Sequence, residues 1–197
     1  MSGKGRERVR RAGVIVGIPV LVGVLTFAAL AVFADDGRLR GGLGEDLAVG
    51  APAEPVAVTR EDAPALLGED PITGEEIELA DFQGKPVVIN IWASWCPGCN
   101  DEAADLREFA ADHPEAVLLG VDFQDTFSGA REFYERWGWQ HPSIFDSSGS
   151  QTAQLGLFGL PTTIFLDNQH RVAARVVGAT DRAGFERGLE LALASEQ

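Results

Sequence analysis

The run Pro86–Trp92, "PVVINIW", is apolar and rich in β-branched residues, with Asn90 its one polar interruption, and a helix pattern begins a few residues later. A strand without a polar face must be covered on both sides, so it belongs in the middle of a sheet with helices packed around it. In "DEAADLREFAADH", Ala103, Leu106, Phe109 and Ala110 recur at helical spacing. Asp101, Glu102 and Asp105 stand in its early turns, where the helix dipole favours acids. The alternation continues: "AVLLGVDF" reads as a strand, "SGAREFYERWG" as a helix, "SIFD" as a short strand and "SQTAQLGLF" as another helix. "TTIFLD" and "RVAARVVG" then form a hairpin around "NQH", and "DRAGFERGLELALA" closes as an amphipathic helix. Parallel strands joined by helices and ending in an antiparallel hairpin predict an α/β fold with a mixed central sheet flanked by helices.

The N-terminal part speaks of location. Residues 1–11 hold five basic residues against the single acid Glu7, and residues 12–34 carry no charge. As a helix rising about 1.5 Å per residue, that span is long enough to cross a bilayer. The basic start predicts a cytoplasmic N-terminus, an N-terminal transmembrane helix and a domain outside the cytoplasm. Cleavage after Ala34 is the alternative, and it leaves the domain in the same compartment. Residues 35–59 are rich in Gly, Ala, Pro and acids without a sustained period, which predicts a flexible linker, and 60–197 is the folded domain. Overall 16 Lys and Arg face 30 Asp and Glu, and with five of the basic residues in the first segment the remainder is the more acidic. An acidic domain of this kind repels phosphate backbones, so nucleic acid is not an expected partner.

The chain has two cysteines, Cys96 and Cys99. A structural disulfide over so short a loop stabilises by only about 2 kcal/mol in the loop-entropy model. Zinc needs about four ligands, and the three histidines stand at no finger-like spacing, so no metal is expected. A thiol at a helix start, by contrast, meets unpaired N–H groups that favour its thiolate, and a second thiol one turn on can resolve a mixed disulfide formed on the first. Redox chemistry at Cys96, with Cys99 resolving, needs no bound cofactor.

"VVINIWASWCPGCNDE" together with "GLPTTIFLD" resembles the thioredoxin superfamily, and closely its membrane-tethered TlpA, ResA and CcmG-like branch, over residues 60–197. The resemblance implies a thioredoxin-like fold and thiol–disulfide oxidoreductase activity. It implies that Pro161 is a cis-proline against the active-site pair, leaving the Leu160 backbone free to pair with an extended substrate. Trp95, Pro97 and Leu160 are then the substrate-facing positions, and Trp92 and Trp95 shield the disulfide. Asn90 stands where thioredoxin has a buried aspartate, and Glu102 matches a glutamate of ResA-like proteins that tunes the cysteines. The alternative for Glu102 is a solvated surface acid. Pro97-Gly98 reverses the order found in thioredoxin, which leaves the direction of electron flow open.

By the same resemblance, the substrates are protein thiols or disulfides. The favoured role is a specific extracytoplasmic reductase acting on apocytochrome c and supplied by a transmembrane thiol donor. A DsbA-like dithiol oxidase is the alternative, since disulfide chemistry outside the cytoplasm is mostly oxidative. A non-catalytic binding module or a copper chaperone is the alternative of another class. A peroxiredoxin would need a threonine and a proline where Ala93 and Ile89 stand.

Overall fold

The computed structural model describes residues 51–194; the basic start, the uncharged span and most of the expected linker lie outside the described residues. In chain order the strands are β1 (Val56–Ala57), β2 (Leu67–Glu69), β3 (Glu76–Glu78), β4 (Val87–Trp92), β5 (Val117–Phe123), β6 (Ser143–Asp146), β7 (Thr162–Leu166) and β8 (Val172–Val177). The helices are α1 (Pro97–Asp112), α2 (Phe127–Trp137), the short α3 (Ser150–Gln154) and α4 (Arg182–Leu193). Six strands form the central sheet in the order β1-β8-β7-β4-β5-β6, and β2 and β3 form a separate hairpin. β4 runs parallel to β5 and antiparallel to β7, which makes the sheet mixed.

All six residues of β4 are buried, which is what an apolar run without a solvent face requires. Its side chains alternate between two cores. Val88 and Trp92 join Leu106, Phe109, Phe133 and Phe185 on one face, while Val87, Ile89 and Ile91 join Leu119, Val121, Ile144 and Ile164 on the other. Asn90 shares the first face, so the helix α1 closes over a polar atom group at the centre of the sheet.

Two segments differ from their sequence reading. The helix expected over "SQTAQLGLF" stops at Gln154, because Gly156 takes a left-handed conformation (φ 67°) and ends the turn. The released Phe158 is 90% exposed. The stretch expected to be flexible linker up to Thr59 engages the sheet from Ala53 onward: Ala53 N–H donates to Ala179 O at 2.8 Å, and β1 pairs with β8 through Val56 and Arg175. Without that addition β8 would present an open edge. Among the described residues no helix is long and apolar enough to cross a membrane.

Candidate active site

The chain leaves β4 at Trp92 and enters α1 at Pro97, so the strand end and the helix start converge on residues 93–96. Cys96 is the N-cap of α1, with Pro97 filling the first helical position, where a missing N–H costs nothing. The Cys99 N–H donates to Cys96 Sγ at 3.1 Å, and the two cysteines form a disulfide with Cα atoms 5.3 Å apart. In this oxidised form Cys96 is 3% exposed and Cys99 1%, so both sulfurs are nearly enclosed.

The Leu160–Pro161 bond is cis, and Pro161 is buried against the pair's helix. A Cβ on Gly98 would stand 3.0 Å from Pro161 Cδ, so a glycine at 98 lets the helix start pass close to the proline ring. Among the described residues, neither backbone group of Leu160 takes part in a backbone hydrogen bond. Trp95 and Pro97 are exposed beside the disulfide, and the Trp95 indole N–H donates to Gln124 O at 3.3 Å. Trp92 belongs to the same core as the two cysteines and is fully buried among Phe133, Tyr134 and Trp139 at ring-centre distances of 4.8, 5.6 and 5.2 Å, and its N–H donates to Ser143 Oγ at 3.2 Å.

Glu102 is not a solvated acid. One turn beyond Cys99 on α1 it is 2% exposed, and its carboxylate is held from both sides. Asn90 Nδ2 donates to Oε1 at 2.9 Å and the Thr180 N–H donates to Oε2 at 3.1 Å. Asn90 also donates to Thr163 Oγ1 at 3.1 Å, which ties β4, β7 and α1 together under the cysteines. Burial raises the Glu102 pKa to about 8 against the lowering effect of the Thr180 and Asn90 hydrogen bonds, with Asp105 adding a smaller upward push.

A second acidic group lies at the end of β5, beside the last residue of β4, and is not legible as a site in the sequence. Asp122, opposite Trp92 in the β4–β5 register, is fully buried, and neither of its oxygens has a hydrogen-bond partner. Burial raises its pKa to about 8, and the neighbouring carboxylate of Asp125 reinforces the shift. Asp125 in turn accepts from the Ser94 N–H at 2.5 Å and the Ser94 hydroxyl at 2.9 Å, two residues before Cys96. The one sequence signal was an acid inside the otherwise apolar run "AVLLGVDF".

A thioredoxin-like sheet that delivers a two-cysteine disulfide to a helix N-terminus, opposite a cis-proline, defines the class: a thiol–disulfide oxidoreductase. Residues 59–175 match the model of the AhpC/TSA family, and the chain belongs to that family. It is similar to the thiol:disulfide interchange protein DsbE of Pseudomonas aeruginosa, 30% identical over 124 residues, which are 61% of this chain and 64% of that protein. The thiol-disulfide oxidoreductase ResA of Bacillus thuringiensis subsp. konkukian is 26% identical over 132 residues, 66% of this chain and 76% of its own. Among solved structures, a DsbF homologue from Corynebacterium diphtheriae superposes with a TM-score of 0.65 at 28% identity, covering 76% of this chain and 99% of that one. A secreted thiol-disulfide isomerase from Corynebacterium glutamicum gives 0.63 at 29% identity, covering 77% and 96%.

Proposed function

We propose that this chain is a membrane-anchored, extracytoplasmic reductant of selected protein disulfides, with the cysteine pair of apocytochrome c as its substrate. The observation that carries the reading is the enclosed Cys96–Cys99 disulfide above a buried Glu102. An acid with a pKa near 8 is matched to a thiol of ordinary pKa about 8.5, so a proton can pass between Cys99 and Glu102 at little cost near neutral pH.

In the reduced enzyme the Cys96 thiolate, favoured by the helix start and the Cys99 N–H, attacks one sulfur of the substrate disulfide. A mixed disulfide forms and the other substrate sulfur leaves as a thiolate. Glu102 takes the proton of Cys99, whose thiolate attacks Cys96 Sγ and releases the second substrate sulfur. Two electrons have passed to the substrate, and the enzyme is left with the disulfide described above. A transmembrane thiol donor then reduces it again. Leu160 offers its backbone to the substrate, and Trp95 and Pro97 form the exposed rim over which the substrate approaches.

Residues 12–34 serve as the anchor and those from 35 to about 52 as the linker, with the oxidoreductase domain beyond. The similarity to a secreted isomerase supports a second reading, an oxidant or isomerase of broader range. Trapping separates the two. With Cys99→Ala the mixed disulfide on Cys96 cannot resolve, and the account expects a few adducts, apocytochrome c among them. Adducts with many unrelated secreted proteins would favour the second reading.

A further inference from the structure

The acid under the cysteines is held partly by a residue that is itself held by the start of the domain. Thr180 donates its backbone N–H to Glu102 Oε2, and its hydroxyl donates to the carbonyl of Ala53 at 2.5 Å. Ala53 returns a bond to the same loop, its N–H donating to Ala179 O at 2.8 Å. Next to it Glu54 pairs with Arg187 on α4. The loop is also held from α4: a Cβ on Gly184 would overlap the Thr180 hydroxyl, so α4 packs directly on that side chain. We infer that residues 53–54 are a clip that fixes the 179–180 loop, making Thr180 and Ala53 positioning residues for the Glu102 carboxylate.

The consequence follows from the order of the contacts. Residue 53 is where the segment arriving from the N-terminal part of the chain meets the domain. A displacement there moves the 179–180 loop, lengthens the Thr180 N–H bond to Glu102, and removes a donor that favours the ionised acid. The other groups facing Glu102 do not replace it. Asn90 and Thr163, from β4 and β7, are uncharged, and Asp105, on its own helix, opposes ionisation. A displacement of residues 53–54 therefore reaches the proton acceptor of the cysteine pair without touching either cysteine. The inference rests on the proposed role of Glu102 only for its effect on exchange, not for the clip itself.

The test reads Glu102 directly, in the full-length reduced protein, by infrared titration of isotope-labelled glutamate carboxyls, the Glu102 band being the one lost in Glu102→Gln. Thr180→Val removes the hydroxyl and keeps the N–H; its midpoint is expected to rise by about half a pH unit or more, the size of a weakened hydrogen bond to a charge. Thr180→Ser, which keeps the hydroxyl, is expected to titrate like the parent. Ala53→Pro, which removes the opposing N–H and leaves Thr180 untouched, is expected to raise the midpoint and supplies the test should the valine variant not fold. A valine midpoint equal to the parent's, or a serine midpoint displaced as far as the valine one, overturns the clip. If the carboxyl midpoint moves while the pH profile of exchange does not, the clip stands and the role given to Glu102 fails.

Discussion

Glu102 and Asp122 are both buried acids with pKa values raised to about 8, yet they are built in opposite ways. Glu102 is cradled by two donors that offset part of the burial cost of its charge. Asp122 has no donor, and the carboxylate of Asp125 beside it opposes its ionisation. A cradled acid can pass through its ionised form during a reaction, whereas an orphaned one is held protonated. The comparison teaches that a raised pKa alone does not mark a catalytic acid; the hydrogen-bond donors around it do.

The largest effect expected is on catalysis. Glu102→Gln cannot accept the Cys99 proton, and stopped-flow exchange should slow by about 100-fold at neutral pH, with the inflection near pH 8 gone. A profile that keeps its inflection would strip Glu102 of its role.

Asp122→Asn should do the reverse, leaving the exchange profile alone and changing stability. The folded pKa of Asp122 lies above the ordinary aspartate value of about 3.9, so the folded state holds a proton that the unfolded chain has released. Its contribution is full below pH about 4 and is lost as pH rises through about 8. Denaturant unfolding between pH 5 and 9 should therefore show a flatter decline in the asparagine variant, which is more stable by about 2 kcal/mol at the alkaline end. Glu102 adds a decline of the same sign, so some slope remains. A variant no more stable than the parent at pH 9 would mean that Asp122 has a compensating partner.

A smaller effect sharpens the cradle. Asn90→Ala removes one donor to Glu102 and should move the exchange inflection upward by about one pH unit. A downward move would contradict the hydrogen-bond account. Smallest of all, Ser94→Ala deletes one of the two bonds that Ser94 gives Asp125 and should cost about 1 kcal/mol of stability with the inflection unmoved.

The difference between the two acids also marks what the sequence could tell. Strand β4, helix α1 and the cysteine pair are local patterns, a buried run followed by a helix start, and they are legible from residues a few places apart. Glu102 was legible as a neighbour of Cys99 by helical spacing, but whether it faced solvent or the sheet depended on Asn90 and Thr180, 12 and 78 residues away. Asp122 lies in the strand run "AVLLGVDF", and its burial opposite Trp92, like the Asp125–Ser94 bonds beside it, arises only when β5 docks on β4. The early stop of α3 turned on one glycine, and the docking of residues 53–57 on an edge that only the folded sheet presents.

The central claim is that the Cys96–Cys99 pair gives electrons to its substrates, and its reduction potential tests this most directly. Equilibration of the full-length protein in redox buffers, read by thiol labelling, should place the couple near the roughly −270 mV of thioredoxin. A value near the roughly −120 mV of DsbA, with the dithiol the more stable form, would contradict the account and make the chain an oxidant.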